Sequence, residues 1–262
     1  MNPATGERPP AVVWGRSPRD GHAVQVRDGV RLTGTSGVER VLTITAEGAQ
    51  ESRPDDAALF RVFADTAPTE AGVLQFARLW GPLRSWQIYG DPGDREAPTF
   101  KAEPLNVWTD GIRAMQEAVA LWELSRQPQV TEDLVRAVQA REGAHNKSVD
   151  GLRQGDRTAF SERGLRLVID ICNAHLHEPH VGVQVEPHVR RTKQTLRLLL
   201  RPTQLMTALW LQFASAVTRQ VDYRACVICG KWMELSPDSH RASRQTCSNR
   251  CRLRLSRGLG PG

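Results

Sequence analysis

Hydrophobic and polar positions follow two different periods along the chain, and together they predict a mainly helical protein with a small β element. Residues 23–46 contain short β-branched segments separated by Asp28-Gly29 and by a Gly-Thr-Ser-Gly stretch, which is typical of strands and turns. Beyond Asp55, apolar residues recur at three- and four-residue spacing, and this period indicates helices. We therefore expect an α+β fold in which α-helix dominates.

Capping residues and helix breakers predict six helices in the body of the protein. The first two are expected to be capped by Asp55 or Asp56 and by Thr69, and to end at Asp65 and Gly81. The other four are expected over residues 105–127, after Thr131, around an apolar face that includes Cys172, and from Pro202 or Thr203 onward. Residues 142–156 predict a loop. Cys172 is expected to be a core residue.

Before the last of these helices the pattern returns to a period of two. Residues 181–185 alternate and residues 195–200 are mostly apolar, so the polar residues 188–194 between them are expected to turn a hairpin. The helix that follows has an apolar face that is expected to dock on the other helices. A linker around residues 222–224 is then expected to lead to the C-terminal segment.

Length and composition are those of an ordinary globular protein of one or two domains. The chain has 262 residues, of which 40% are hydrophobic and 24% are charged. Its longest uncharged stretch, residues 202–218, is shorter than the roughly 20 apolar residues of a membrane-spanning helix, so we expect no membrane span. Residues 1–22 carry prolines and charges where a signal peptide would be apolar, which predicts a loose N-terminal arm and a cytoplasmic protein.

Charge is distributed unevenly between the two parts of the chain. Residues 190–262 hold 14 Lys and Arg against three Asp and Glu, a net charge of +11. Residues 1–189 hold 21 against 26, a net charge of −5. A basic segment on an acidic body favours a polyanionic partner, although basic blocks also occur as ordinary solvated surface.

Four of the five cysteines lie near the C-terminus with the spacing of metal ligands. Cys226 and Cys229 form a Cys-x2-Cys turn followed by Gly230, which can adopt the left-handed conformation that such a turn needs. Cys247 and Cys251 are four residues apart and would share one face of a helix. Four thiolates predict one structural zinc ion, because they leave no open coordination position for catalysis.

Disulfide bonds are the alternative for these cysteines, and His240 is an alternative ligand. Disulfides do not persist in a reducing cytosol, so we favour zinc. Structural zinc supplies on the order of 10–16 kcal/mol to small fingers, whereas so short a segment cannot bury enough apolar surface to fold alone. We therefore expect the segment to be disordered without its metal.

The cysteine pattern resembles a bacterial treble-clef zinc finger. The resemblance rests on the runs CVICGKWME at 226–234 and CSNRCR at 247–252, which are of the type Cys-x2-Cys-Gly…Cys-Ser-x2-Cys-Arg. They are similar to the C-terminal finger of the CGNR proteins, which are regarded as transcription regulators; there Gly-Asn-Arg follows the last cysteine, whereas Asn249 and Arg250 precede it here. The resemblance implies a treble clef over residues 222–262, after a body over residues 23–221 that resembles largely uncharacterised bacterial proteins.

Basic residues of the C-terminal segment are the candidates for contact with nucleic acid. A helix from Ser248 to Arg257 would turn Cys251 and Leu255 towards the metal and place arginines on a neighbouring face. Arginine binds phosphate oxygens and guanine edges in bidentate fashion. The expected contact residues are Lys231, Arg241, Arg244, Arg250, Arg252, Arg254 and Arg257.

This surface predicts a DNA-binding transcription regulator, with DNA favoured over RNA. The alternative is a protein-interaction module in which zinc only shapes a docking surface for a partner protein or a second copy of the chain. Phosphate-loop, dinucleotide-binding and nucleophile-elbow motifs are absent from the sequence, so we do not expect an enzyme. Residues 175–180 hold three histidines and a glutamate that could bind a metal, but a helix end stopped by Pro179 is the favoured interpretation.

Overall fold

The computed structural model describes residues 23–32, 38–45, 58–84, 87–90, 100–142, 154–177, 181–190, 193–235 and 243–259. Within these ranges the helices up to residue 218 pack around one large hydrophobic core, a second small core lies near the C-terminus, and the strands form three antiparallel sheets. The prediction of a mainly helical α+β fold is confirmed. The proposed arm, residues 1–22, lies outside the described residues, and the division at residues 221 and 222 stays a prediction.

The first sheet is a closed barrel of four short strands. It consists of β1 (Ala23–Leu32), β2 (Val38–Thr45), β3 (Gln87–Gly90) and β4 (Phe100–Pro104). The strands pair in the order β1-β2-β4-β3, and β3 pairs back onto β1. The sequence predicted strands in residues 23–46, but the expected break at Asp28-Gly29 is wrong, because β1 runs through both residues with a register shift between Arg27 and Val30. Strands β3 and β4 were not predicted, because they are too short to show a period of two.

Six helices form the body, and aromatic side chains fill its core. They are α1 (Leu59–Ala64), α2 (Glu70–Trp80), α3 (Leu105–Ser125), α4 (Glu132–Glu142), α5 (Gln154–Leu176) and α6 (Leu205–Thr218). The largest fully buried side chains include Trp108, Trp122, Trp210, Phe60, Phe63 and Phe213. Cys172 is buried on α5 as predicted, and burial raises the pKa of its thiol to about 12.

Helix ends follow their local signals in some places and tertiary pairing in others. Thr69 caps α2 by accepting a hydrogen bond from the Gly72 amide (3.3 Å), and Gly81 ends the helix at φ 81°, both as predicted. The predicted start of α6 at Pro202 or Thr203 is wrong, because residue 202 is still paired in a strand and Gln204 is the N-cap. The first helix begins only at Leu59, and Asp55 and Asp56 lie outside the described residues.

The predicted hairpin is confirmed, with longer strands than expected. Strands β5 (Val181–Arg190) and β6 (Lys193–Pro202) pair in antiparallel fashion from Val181–Pro202 to Arg190–Lys193. Residues 188–190 and 193–194, expected in the turn, are therefore strand residues. Backbone pairing extends past the apolar positions because it requires hydrogen-bonding groups rather than apolar side chains. Similarly, the predicted loop over residues 142–156 ends early, because α5 begins at Gln154.

Glu103 joins the barrel to the helical body at the start of α3. Its carboxylate accepts hydrogen bonds from the Leu83 amide (2.9 Å), the Arg84 amide and the Trp108 indole (2.9 Å). Burial raises the pKa of Glu103 to about 7, against the opposite effect of these donors. The Met206 amide donates to the Leu83 carbonyl (2.8 Å), so α6 is tied to the same junction. Within the described ranges, no helix combines the length and apolar character needed to cross a membrane.

Candidate metal centre

The C-terminal segment consists of a short hairpin and a helix, and we call its described residues, 222–235 and 243–259, the finger. Strands β7 (Asp222–Ala225) and β8 (Trp232–Leu235) pair in antiparallel fashion, and α7 (Asn249–Ser256) follows. The turn between the strands holds Cys226 and Cys229. Gly230 adopts φ +70°, as predicted, and its amide donates to the Cys226 carbonyl (2.9 Å). This tight turn directs both thiols to one side.

Helix α7 positions the second cysteine pair at its N-terminal end. The Ser248 hydroxyl caps the helix by accepting a hydrogen bond from the Cys251 amide (3.3 Å). Cys247 precedes this cap and Cys251 lies in the first turn, where it is buried together with Cys226. The helix that the sequence predicted over residues 248–257 is therefore confirmed.

The four cysteine sulfurs are close enough to coordinate one metal ion. All four lie within 4.8 Å of one another. Cys229 and Cys247 are separated by 3.4 Å, Cys247 and Cys251 by 3.6 Å, and Cys229 and Cys251 by 3.7 Å between Sγ atoms. A tetrahedron with metal–sulfur bonds of about 2.3 Å has edges of about 3.8 Å, so the spacing fits one tetrahedral ion. All four thiols are free, and their separations exceed the roughly 2.05 Å of a disulfide bond.

A backbone hydrogen bond joins the two halves of this cluster, and Arg244 supports the half that contains Cys247. The Val227 amide donates to the Gln245 carbonyl (3.0 Å), which joins the Cys-x2-Cys turn to the segment before Cys247. The Arg244 guanidinium donates to the carbonyls of Thr246 (2.8 Å) and Cys247 (2.5 Å). Arg244 was expected as a nucleic-acid contact, and the sequence offered no signal for this supporting role at the cluster.

The thiols differ in how readily they ionise. Burial raises the pKa of Cys226, but amide donors from Ile228, Cys247 and Cys229 outweigh it and lower that pKa to about 6. Burial, followed by the neighbouring thiols of Cys229 and Cys251, raises the pKa of Cys247 to about 12. The neighbouring thiols thus oppose ionisation of Cys247, and a bound cation would favour its thiolate form.

The finger is packed against the helical body. The expected linker at residues 222–224 is wrong, because these residues belong to β7. The Tyr223 ring packs edge-on against Phe60 of α1 at 5.3 Å between centroids. The Trp232 indole donates to the Asp65 carboxylate (2.7 Å), and the Arg126 guanidinium contacts the Asp222 carboxylate (2.6 Å).

Arg61 lies at the centre of this junction between the body and the finger. Its guanidinium lies 5.1 to 5.6 Å from the ring centroids of four aromatic residues, which are Phe60, Trp122, Tyr223 and Trp232. It also forms an ion pair with Glu123. Only 5% of Arg61 is exposed. Two of the four rings belong to the finger, so a body residue supplies the cation that both parts share. Arg61 was not among the predicted residues, since most of its partners are distant along the chain.

Three of the predicted nucleic-acid contacts on or at the end of α7 are exposed cations. Arg250, Arg252 and Arg257 are exposed, and among the described residues none of them pairs with a carboxylate. Arg254 is half-buried beside them, and Lys231 is exposed next to Gly230. Arg241, like His240, lies outside the described residues.

Two open cavities lie along α7, and arginines line both of them. One, of about 620 Å³, is lined by Arg250, Leu253, Arg254, Arg257 and Leu259. The other, of about 440 Å³, is lined by Ser243, Arg244, Gln245, Thr246, Ser248, Asn249, Arg252 and Leu255. Leu255 was expected to face the metal, but 40% of it is exposed. That expectation is wrong because Cys251, Cys226, Ile228 and Met233 already fill the small core of the finger.

Of the histidines near the end of α5, His175 has a packing role and His177 is exposed. The His175 ring stacks on Trp210 with 4.0 Å between centroids and an interplanar angle of 8°. The helix ends at Leu176, and residues 178–180 lie outside the described ranges. Among the described residues, the four cysteines form the only group of three or more His, Cys, Asp or Glu that could hold a metal ion.

Comparison of the chain with protein-family models, with curated proteins and with solved structures finds no match. The likeness to bacterial treble-clef fingers therefore rests on the residue pattern alone.

Proposed function

We propose that this chain is a zinc-finger nucleic-acid-binding protein that acts as a DNA-binding transcription regulator in the bacterial cytoplasm. The observation that carries the proposal is the surface of α7. Arg250, Arg252 and Arg257 are exposed without a described carboxylate partner, and they lie on the helix that also supplies Cys251 to the candidate metal centre. A rigid helix with unpaired arginines is suited to phosphate and base edges.

The metal in this proposal is one structural zinc ion held in a treble clef. The support is a donor set of four cysteine sulfurs at tetrahedral spacing, together with a hairpin whose turn carries the first cysteine pair and a following helix that carries the last ligand. Thiolate donors in such a set are typical of structural zinc, which has no open position for a substrate. The finger's own core, Cys226, Ile228, Met233 and Cys251, is too small to fold it without a metal.

Metal analysis tests the zinc assignment directly. Purified protein is expected to hold about one zinc per chain, and the Cys229→Ser and Cys247→Ser variants are expected to lose it. Cys172→Ser is the matched control, since Cys172 is buried in the body away from the cluster, and it is expected to keep the zinc. A wild-type chain that carries no metal and still has an ordered finger would overturn the assignment.

Binding measurements test the proposed activity. Zinc-loaded protein is expected to bind random duplex DNA in fluorescence anisotropy, with an affinity that falls steeply as salt increases. Changing Arg250, Arg254 and Arg257 together to Ala is expected to abolish this binding. The control changes Arg113, Arg136 and Arg166, which are exposed on the body, and therefore removes the same charge. Equal loss in both triple variants would indicate a nonspecific charge effect and contradict the proposal.

A protein-docking finger is the second candidate, and exposed apolar residues favour it. Leu253, Leu255 and Leu259 are 53%, 40% and 51% exposed on or beside α7, and Val227 is 46% exposed in the cysteine turn. Leucines at these positions would add apolar area to an interface with another protein. This candidate predicts that the wild-type finger does not bind DNA or RNA even at low salt.

A further inference from the structure

Helix α7 has three distinct sides once its metal-facing side is known. Cys251 faces the cluster and is 8% exposed. At 3.6 residues per turn, Asn249 and Leu253 both lie about 160° from Cys251 around the helix axis. Both are exposed, so the side that points away from the metal presents an amide and an isobutyl group. We call these two residues the ridge.

Arginines occupy both flanks of this ridge. Arg250, Arg254 and Arg257 fall on one flank and line the larger cavity. Arg252 lies about 200° from Arg250 around the axis, and it lines the smaller cavity on the other flank together with Arg244. Among the described residues that line the two cavities, none is acidic. A polyanion is therefore attracted to both sides of the helix, while the ridge between them is uncharged.

Such an arrangement matches the groove of a double helix rather than a single strand. An α-helix with its side chains is about 10–12 Å across, and the major groove of B-DNA is about 12 Å wide and bounded by two phosphate chains. A single strand offers one phosphate chain and can satisfy one flank only. The major groove of A-form RNA is too narrow and deep for side chains to read.

We infer that the partner of this finger is duplex DNA, and that α7 enters the major groove with arginines of its two flanks on opposite phosphate chains. The inference deepens the proposed function and rests on it. Asn249 then faces base edges, where an Asn amide can bond adenine N6 and N7, and Leu253 can contact a thymine methyl group. The arginines position the helix, and the ridge supplies sequence preference.

The salt dependence of binding tests whether an arginine on each flank contacts a phosphate. Each of the single variants Arg252→Ala and Arg257→Ala is expected to lower the slope of log affinity against log salt on duplex DNA by about one, as for one phosphate contact. On a single strand of the same sequence, only one of the two variants is expected to do so. Arg136→Ala, an exposed position on α4, is the control with the same loss of charge. Zinc content and circular dichroism verify that each variant is folded.

The outcomes distinguish this inference from the proposed function beneath it. If Arg257→Ala lowers the duplex slope and Arg252→Ala does not, the two-flank geometry is overturned while nucleic-acid binding stands. If the wild-type chain binds no nucleic acid at low salt, the two-flank inference and the proposed nucleic-acid binding are both contradicted. Selection of bound sequences from a random duplex pool adds a test of the ridge, because Asn249→Ala is expected to change the selected sequence without changing the salt slope. If Asn249→Ala selects the same sequences as wild type, Asn249 does not contact base edges.

Discussion

Arg61 is the residue through which the helical body and the finger share one buried charge. A guanidinium that is removed from water needs compensation, and here it comes from Glu123 and from the faces of four aromatic rings. Two of these rings come from α1 and α3, and two come from β7 and β8. The position of the finger on the body therefore depends on a residue more than 160 positions away from it in the chain.

Replacing Arg61 tests this role in stability. Arg61→Met keeps much of the aliphatic volume but removes the cation–π contacts and the ion pair, so we expect the free energy of unfolding to fall by about 2–3 kcal/mol. Urea denaturation followed by tryptophan fluorescence measures this loss. Arg113→Met, at an exposed position with a single ion pair to Asp110, is expected to change stability by less than about 0.5 kcal/mol. Similar losses in the two variants would contradict a special role for Arg61.

Glu103 makes stability depend on pH. Its pKa is raised from an ordinary 4.5 to about 7 in the fold, so the folded state binds the proton more tightly than the unfolded chain. The tighter proton binding of Glu103 therefore adds to the free energy of unfolding in full below pH 4.5, and this addition is lost as pH rises towards 7. We expect the stability advantage of wild type over Glu103→Gln to shrink across this window, by on the order of 3 kcal/mol. An advantage that stays constant or grows with pH would show that the amide and indole donors keep the group ionised.

At the scale of elements, the crossing of α3 and α5 depends on a glycine. A Cβ at Gly164 would lie 2.2 Å from Ser125 Oγ, and that hydroxyl already donates to the Leu121 carbonyl (2.7 Å). Gly164 is therefore a packing residue, although glycine is unfavourable in a helix interior.

Substitution at this crossing gives a prediction with a built-in rescue. Gly164→Ala gains about 1 kcal/mol of helix propensity but is expected to lower the free energy of unfolding by about 1–3 kcal/mol through the clash with Ser125. The double variant with Ser125→Ala is expected to recover part of this loss, because the clashing oxygen is gone. Thermal or urea unfolding of wild type, the two single variants and the double variant measures the interaction energy between positions 125 and 164. If the stability changes of the two single variants simply add in the double variant, the loss in Gly164→Ala does not come from a clash with Ser125.

Elements were predictable from sequence where their signals are local. Thr69, Gly81, Gly230 and Ser248 act at helix or turn ends within four residues of their partners, so pattern alone located those ends. Strands β3 and β4 were missed, since each is defined by pairing with strands far along the chain. The start of α6 was placed too early because antiparallel pairing of β6 holds Pro202 in the sheet.

At the scale of the whole molecule, the contacts of the finger predict that metal binding stabilises the body as well. Loss of metal is expected to unfold the finger and so to remove Tyr223 and Trp232 from Arg61. If these contacts contribute about 2 kcal/mol, chelation should lower the melting temperature of the body by roughly 4–8 °C. Differential scanning calorimetry with and without a chelator measures this shift. In Arg61→Met the shift is expected to be smaller, whereas a body transition unaffected by chelation in wild type would mean that the two parts are thermodynamically independent.

The sequence by itself determined the features that depend on spacing and local chemistry. These are the mainly helical α+β class, the hairpin before α6, the four clustered cysteines and the helix that carries the last of them. Each follows from residues a few positions apart, for which helix period, capping and turn geometry decide the outcome. The metal identity, the nucleic-acid partner and the regulatory role stay proposals that rest on this pattern.

Only the tertiary structure decided how these pieces meet. Arg61 and Glu103 look like ordinary charged residues in the sequence, yet both are buried by partners from distant segments. The Trp232–Asp65 bond joins residues 167 positions apart, and it replaces an expected linker with a packed junction. Arg244 donates to the Cys247 carbonyl, and its predicted contact with nucleic acid stays a prediction. For Arg61, Glu103 and the Trp232–Asp65 bond the physical reason is the same: burial and pairing depend on which surfaces close on each other in space, and no periodicity along the chain encodes that.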